Sequence, residues 1–285
     1  MKKMQEDAFS SLHPVTNFIF LTVEVGVVAL SSNPILQGIA LLGALIYGRV
    51  LLGKRIWRQL LGVLPFALFV AVVNPLFSHQ GATILGYFKD GNPITLESIL
   101  FGGGMGLLIL SMLCWFLIWN QIMTADKWIH LFGKVLPGFG LLLSMVFRFV
   151  PKLKKQYHQS QFVQPDCNPF KRFSMLVTWG LETSVDTADS MAARGYGLHR
   201  RRNFSIFHFR FADGVFLLWI GILTLFLVYV IQTGKLVFYY YPVLVVFGKP
   251  GWMQLGYAAF GLLSLLPVVF EWEEQKRWNY LQSKI

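Results

Sequence analysis

The chain has 285 residues, of which 55% are hydrophobic and only 14% are charged. This composition is too apolar for a soluble globular domain and predicts a polytopic membrane protein. The formal net charge of +11 is interpreted as a consequence of membrane topology, with some attraction to anionic inner-leaflet lipids, rather than as nucleic-acid binding.

Six apolar stretches approach or reach the length of about 17 to 25 residues that crosses roughly 30 Å of hydrocarbon. They lie at residues 15–31, 34–48, 58–77, 97–122, 212–232 and 254–270. The second is short, and Asn33 and Pro34 leave little room for a turn before it. The sequence therefore predicts an all-α fold with about six transmembrane helices: about four in residues 1–122 and the last two, with a tail, in residues 212–285.

The basic residues are distributed unequally between the two sides of the membrane. If the N-terminus is cytoplasmic, 22 of the 25 Lys and Arg residues fall on cytoplasmic segments, and Lys89, Lys235 and Lys249 fall outside. Short cytoplasmic loops retain basic residues, so both termini of a multi-pass plasma-membrane protein are predicted to be cytoplasmic. The polar start of the chain predicts no cleavable signal peptide, and the first crossing is expected to stay as an anchor.

Residues 123–211 carry 13 basic and 5 acidic residues and keep helical periodicity, so long cytoplasmic or interfacial amphipathic helices are expected there. One helix should run from Gly140 through Tyr157 and be kinked or restarted at Pro151, which lacks a backbone donor and clashes with the preceding turn. Its first half is apolar and its second half is basic. An interfacial helix whose lysines meet lipid headgroups is an alternative explanation of the basic half.

A second amphipathic helix is predicted from about Pro169 to Arg194, followed by Gly195 where a left-handed helix cap is needed. Its apolar face repeats at steps of four, three and four residues and consists of Leu181, Val185, Ala188 and Ala192. A parallel acidic stripe consists of Glu182, Asp186 and Asp189.

Arg194 in the last turn has two interpretations. It could complement the negative end of the helix dipole and cap carbonyl groups, as many C-terminal arginines do. Alternatively, a rigid helix presents one guanidinium between the small residues Ala193 and Gly195, so that it inserts into an acidic groove of another protein and forms bidentate hydrogen bonds.

The segment from Thr178 to Leu198 reads TWGLETSVDTADSMAARGYGL. With this segment, the chain resembles over nearly its whole length the transmembrane T component of energy-coupling factor (ECF) transporters, the vitamin and metal-ion importers of the ABC superfamily. The segment is similar to the family's second Ala-Arg-Gly coupling motif and the helix before it. Weaker similarity is found in Leu12-His-Pro, in Asn74-Pro-Leu-Phe-Ser-His-Gln-Gly, and in Arg148-Phe-Val-Pro, which resembles the Arg-Phe-Ile-Pro that opens the family's first coupling helix.

The resemblance implies a mechanism and a set of partners. Two coupling helices of a T component each end in a small-Arg-small motif, and each docks in a groove of one of two ABC ATPase subunits. ATP binding draws the ATPases together, the coupling helices move, and a separate membrane-embedded S component that binds the substrate is toppled. Arg194 would be the arginine of the second motif, flanked by Ala193 and Gly195. The chain itself would be a non-catalytic subunit without cofactor or metal.

The first coupling motif departs from the family pattern. After Arg148 and Pro151, residues 159–164 read QSQFVQ and contain no arginine. One alternative is that Gln161 and Phe162 dock through neutral hydrogen bonds and packing. The other is that charge comes from nearby basic residues, namely Lys154, Lys155, Lys171 and Arg172. Unequal docking suits a heterodimeric ATPase pair better than two identical subunits.

Two other classes of protein are alternatives. A membrane-embedded enzyme would need a catalytic set, but the six histidines show no His-x-x-x-His or His-Glu-x-x-His spacing. A stand-alone channel or secondary transporter usually places several ionisable groups at mid-membrane, whereas Glu24 is the one that lies clearly inside a predicted crossing. A lone glutamate is typical of a helix-packing or interfacial group, and the glycine run at 102–106, with no lysine after it, is interpreted as helix packing.

Overall fold

The computed structural model describes residues 7–87, 92–163, 165, 167–196, 207–246 and 250–283. The chain divides into two compact units. We call Met1–Met123 together with Phe209–Ile285 the membrane unit, and Thr124–His208 the insert unit.

Helices dominate both units. Within the described residues they are α1 (Pro14–Leu30), α2 (Pro34–Leu52), α3 (Arg55–Phe77), α4 (Leu96–Ile122), α5 (Ala125–Val135), α6 (Pro137–Val163), α7 (Pro169–Ala193), α8 (Phe211–Gln232) and α9 (Pro250–Gln282). The short strands β1 (Ile84–Tyr87) and β2 (Pro93–Thr95) pair antiparallel, as do β3 (Phe238–Tyr239) and β4 (Val245–Val246). Each strand pair connects two helices of the membrane unit.

Five helices of the membrane unit, α2, α3, α4, α8 and α9, are long and apolar enough to cross a membrane. The sixth apolar helix, α1, has 17 residues. At 1.5 Å per residue it is about 25 Å long, at the short end of the crossing range. The prediction of an all-α polytopic membrane protein is confirmed, and the chain is a multi-pass helical membrane protein.

The start of α2 explains how this crossing forms despite the short connection before it. Asn33 caps the helix, since its Oδ1 accepts a hydrogen bond from the backbone N–H of Ile35 at 3.0 Å. Pro34 occupies the first turn, where no backbone donor is needed. Asn33 and Pro34, which leave little room for a turn, therefore also begin the helix. The helix ends at Leu52, four residues after the predicted end at residue 48.

The centre of the membrane unit is an aromatic core. Trp115 of α4 is fully buried, and its ring meets Phe20 of α1 edge on, with 5.9 Å between the ring centroids. Phe9 packs 5.2 Å from Phe20 in the same way. The indole Nε1 of Trp115 donates a hydrogen bond to the carbonyl oxygen of Ala40 at 3.1 Å. A buried indole needs such an acceptor, so this bond fixes α4 against α2.

The glycines of α4 allow a close approach of α3. A Cβ added to Gly106 would lie 2.9 Å from the carbonyl oxygen of Ala67, and one added to Gly102 would overlap the carbonyl oxygen of Ala71. Gly103, between them, faces open space. The requirement for glycine at 102 and 106 therefore comes from the neighbouring helix, which confirms the prediction of helix packing.

Glu24 links α1 to α9 at a point in the membrane unit where α2 also comes close. Its side chain is fully buried, and Oε1 accepts a hydrogen bond from the Ser264 hydroxyl of α9. Helix α2 approaches the same point, because a Cβ added to Gly43 would lie 2.6 Å from Ser264 Cβ. The interpretation of Glu24 as a helix-packing residue is confirmed.

The carboxyl groups of Asp7 and Glu271 hold the segment before α1 against the helices through hydrogen bonds. The Tyr47 hydroxyl donates to Asp7 Oδ2 at 2.7 Å, and the backbone N–H of Ala8 donates to Glu271 Oε2 at 2.7 Å. Burial, and after it the neighbouring Glu271 carboxyl, raise the pKa of Asp7 from 3.8 to about 7. A proton held by Asp7 also satisfies its buried Oδ1, which has no other donor among the described residues.

Candidate docking site

Helices α5 and α6 form a tight corner in the insert unit. A Cβ added to Gly140 would overlap Gly133, and the rings of Phe132 and Phe139 meet edge on at 5.6 Å. The sequence reasoning did not single out α5, although Trp128 and Phe132 are spaced four residues apart and stack on one face. This aromatic spacing is the signal that would have revealed the helix.

Helix α6 continues without interruption from Pro137 to Val163. It therefore does not restart at Pro151, which was one of the two predicted outcomes. Pro151 is exposed on this continuous helix. The apolar first half and the basic second half belong to one helix.

Helix α7 packs against α6 through a small residue that was not part of its predicted apolar face. Gly180 is buried, and a Cβ added there would lie 3.5 Å from the ring of Phe149 on α6. Trp179 stacks on Phe149 with 6.3 Å between the ring centroids and an interplanar angle of 10°. Two flat rings and a glycine thus form the contact between the two helices.

The Ala-Arg-Gly segment forms a Schellman cap at the end of α7, with Arg194 as the cap residue. The N–H of Tyr196 donates to the carbonyl of Met191 at 3.0 Å, and the N–H of Gly195 donates to the carbonyl of Ala192 at 3.0 Å. Gly195 adopts the left-handed conformation that this cap requires, with φ of 72°. Backbone geometry therefore fixes the place of Arg194.

The side chain of Arg194 is exposed and makes no contact that would occupy its guanidinium within the described residues. Arg194 and Ala193 are both exposed. Within the part of the chain that the structure describes, the Arg194 side chain makes no hydrogen bond or ion pair. Backbone N–H groups, rather than this guanidinium, meet the last carbonyls of α7.

Arg194 lines a groove between α6 and α7 with a volume of about 780 Å³. Arg148 and Lys152 of α6 line the same groove. Thr187 also lines it, and its hydroxyl donates to the carbonyl of Thr183 at 2.7 Å. Three cationic side chains therefore face one cleft, which favours binding of a segment that carries carboxylates.

The predicted apolar face of α7 is divided: Ala188 and Ala192 line the groove shared with α6, whereas Leu181 and Val185 do not. Leu181 is 66% exposed and Val185 is 61% exposed. They continue a row of exposed apolar side chains at helical spacing, which we call the α7 stripe: Phe170, Phe173, Val177, Leu181 and Val185. The periodicity identified an apolar face, of which Ala188 and Ala192 line the groove with α6 while Leu181 and Val185 are exposed.

The residues proposed for the first coupling motif are exposed at the far end of α6. Phe162 is 87% exposed, and Gln161 beside it is also exposed. Neither lines the groove that holds Arg194. Gln164 is the last residue of the range 159–164, where the first coupling motif was expected, and it lies outside the described residues.

The basic residues considered as substitutes for a first-motif arginine differ in exposure. Lys154, Lys155 and Lys171 are exposed. Arg172 is buried, and its Nη2 donates to the carbonyl oxygens of Pro165 at 3.3 Å and Cys167 at 3.4 Å. Arg172 thus closes the turn between α6 and α7, which makes it a poor candidate for docking.

Among the predicted site residues, the structure brings Arg148 and Arg194 together in one groove and leaves Pro151, Gln161 and Phe162 outside it. Sequence reasoning missed Lys152, one turn after Arg148, as a third cation of the groove. Within the described ranges, no three His, Cys, Asp or Glu side chains are grouped so that they could hold a metal ion.

Comparison with known proteins identifies neither a family nor a function for the chain. No protein-family model matches the chain, and no curated protein matches it. The resemblance to T components therefore stays a prediction, and the function has to be inferred from the residues and geometry of the chain itself.

Proposed function

We propose that the chain is the transmembrane coupling subunit of an ECF-type ABC importer. It transmits the ATP-driven motion of two ATPase subunits, which form a heterodimer, to a membrane-embedded S component that binds a vitamin or a metal ion. The chain is not an enzyme and binds no cofactor. It lies in the plasma membrane with both termini and the insert unit in the cytoplasm, as the distribution of basic residues predicts.

The observation that carries this proposal is the presentation of Arg194. The Schellman cap fixes the backbone around it, and the small residues Ala193 and Gly195 let a partner backbone approach closely. Its guanidinium has no partner among the described residues. A guanidinium held in this way forms bidentate hydrogen bonds with carboxylates, so an acidic groove on an ATPase subunit is the partner that fits.

The α7 stripe supports contact with a second, apolar partner. A row of exposed apolar side chains on a helix costs free energy in water and is typical of a docking face. A membrane-embedded S component offers an apolar helical surface that would cover it. The acidic residues Glu182, Asp186 and Asp189 on the neighbouring face are exposed, so the two faces of α7 suit two different environments.

The test is purification of the tagged full-length chain from the membranes of its own host, with identification of the copurifying proteins by mass spectrometry. We expect two polypeptides with Walker-type phosphate loops, one small membrane protein, and ATP hydrolysis by the purified complex. Arg194→Glu should release at least one ATPase and abolish uptake of the substrate of the copurifying S component. The matched control is Arg58→Glu, an exposed arginine of α3 in the membrane unit, which should keep both ATPases.

Unchanged ATPase retention and uptake in Arg194→Glu would contradict the coupling role. If the purified chain alone moved ions or solutes across liposomes, the stand-alone channel or secondary transporter would be the better description. An equal loss of chain from the membrane in both variants would indicate a folding defect, so the amount of inserted protein is measured first.

A further inference from the structure

The membrane unit contains a large groove that the proposed coupling function does not use. It lies between α8 and α9 and has a volume of about 1020 Å³. Ser11 and Leu12, just before α1, also line it. Its apolar walls come from the membrane-crossing parts of both helices and include Val215, Trp219, Leu223, Leu262 and Leu266.

The apolar walls of this groove are open to the bilayer. Trp219 of α8 is 52% exposed, and Leu262 and Val269 of α9 are 61% and 50% exposed. These side chains belong to two helices that are long and apolar enough to cross a membrane. Acyl chains are apolar material available at such a surface, and a groove of this volume can take part of a lipid.

One end of the groove carries charges of both signs. Arg210 precedes α8, and Glu273, Glu274 and Arg277 lie near the end of α9; all four line the groove. None of them makes an ion pair with a described residue. The backbone N–H of Arg210 donates to Asp213 Oδ2 at 2.8 Å, which fixes the position of Arg210 without using its guanidinium.

The charged end lies at headgroup level. Arg210 directly precedes the first residue of α8, and Glu273 follows by about one turn Val269 and Phe270, which end the uninterrupted apolar run of α9. This end carries the basic residues, and the positive-inside rule assigns such an end to the inner leaflet. A lipid with its acyl chains on the apolar walls would therefore place its headgroup among the four charged side chains.

We propose that this groove binds phosphatidylethanolamine, with the phosphate between Arg210 and Arg277 and the primary ammonium at Glu273 and Glu274. Two guanidiniums and two carboxylates match a zwitterionic headgroup, because the guanidiniums bind the phosphate oxygens and the ammonium donates to the carboxylates. The glycerol of phosphatidylglycerol offers the two carboxylates neutral hydroxyl donors and no positive charge. The quaternary ammonium of phosphatidylcholine has no N–H to donate.

The test is native mass spectrometry of the full-length protein after reconstitution with equal amounts of phosphatidylethanolamine, phosphatidylglycerol and phosphatidylcholine. We expect phosphatidylethanolamine to be retained above the other two. Combining Arg210→Ala with Arg277→Ala should lower its retention by at least about tenfold, since the loss of a single charge-assisted hydrogen bond already has that scale. Combining Glu273→Gln with Glu274→Gln should shift the preference to phosphatidylglycerol.

The matched control combines Arg49→Gln with Lys54→Gln, two exposed basic residues of the membrane unit that do not line the groove. This variant should keep the wild-type preference. A wild-type preference for phosphatidylglycerol, or equal retention of all three lipids, would overturn the proposal. A preference for phosphatidylethanolamine that survives both groove variants would place the lipid elsewhere and overturn it as well.

Discussion

The two units of the chain use their apolar side chains in opposite ways. All the large side chains that are fully buried within the described residues belong to the membrane unit, among them Phe20, Trp115 and Phe260. In the insert unit, the described buried residues of α7 are Arg172 and Gly180, while the α7 stripe is exposed. The membrane unit has a core of its own, whereas the insert unit has exposed apolar and cationic surfaces.

The largest effect is expected when the core of the membrane unit loses a large side chain. Trp115→Ala removes a fully buried indole and its hydrogen bond to the Ala40 carbonyl. We expect a loss of about 3–5 kcal/mol in the free energy of unfolding, because a large cavity is left behind. The measurement is unfolding of the detergent-solubilised protein. Trp57→Ala, at a tryptophan of α3 that is 48% exposed, should cost far less, and equal losses would contradict the assignment of the core.

A smaller effect is expected at the glycines of α4. Gly102→Ala places a methyl group against the carbonyl oxygen of Ala71, so we expect destabilisation by about 1–3 kcal/mol through overpacking. Gly103→Ala, the adjacent position, faces open space and should be neutral or slightly stabilising, since alanine favours helix. The same unfolding measurement on both variants checks this pair. If the two variants behave alike, α3 does not approach α4 closely.

The free energy of unfolding should depend on pH through Asp7, a buried carboxyl group of the membrane unit, and the exposed Asp186 of the insert unit serves as the comparison. The folded state holds a proton on Asp7 up to a pKa of about 7, whereas the unfolded chain releases it near the ordinary value of 3.8. The folded state therefore binds more protons between these values, and the contribution of Asp7 to stability falls as the pH rises from about 4 to 7.

Asp7→Asn should remove this part of the pH dependence, because the amide keeps a donor for Glu271 and does not ionise. Asp186→Asn, at an exposed carboxylate of α7, should leave it unchanged. Thermal unfolding of both variants and the wild type at pH 5 and pH 8 measures the difference. A wild-type slope that persists in Asp7→Asn would rule out the raised pKa of Asp7 as its cause.

The smallest effect on folding is expected on the α7 stripe. Combining Leu181→Ser with Val185→Ser should change the free energy of unfolding by no more than about 0.5 kcal/mol, because both side chains are exposed. The same change should weaken retention of the copurifying S component. Phe149→Ala, which removes the ring stacked on Trp179, is the internal comparison and should destabilise the insert unit. Full retention of the S component by the stripe variant would show that another surface binds it.

Local features of this protein could be predicted from its sequence. Apolar length placed the crossing at 97–122, and the structure has α4 at Leu96–Ile122. The cap at Gly195 could also be predicted, because a left-handed position after a helical run favours glycine. Both depend on residues that are neighbours along the chain.

Features that depend on a distant neighbour could not be predicted. Periodicity identified Leu181 and Val185 as apolar, but it does not say which face α6 covers, and the Phe149 ring selects Gly180 instead. Arg172 shows the same limit, because its sequence position suggested an available charge although it binds the turn between α6 and α7. The groove shared by Arg148 and Arg194 arises only when the two helices pack.

The measurement that tests the central claim most directly is site-specific photo-crosslinking next to the Ala-Arg-Gly cap. A photoreactive phenylalanine analogue at Tyr196, which is 42% exposed, should form an adduct with an ATPase polypeptide in native membranes. The same analogue at Tyr87, which is 67% exposed on β1 of the membrane unit, should not. An ATPase adduct at Tyr196 that disappears with Arg194→Glu is the predicted result. No ATPase adduct at Tyr196, or an equal yield at Tyr87, would contradict the coupling role of this cap.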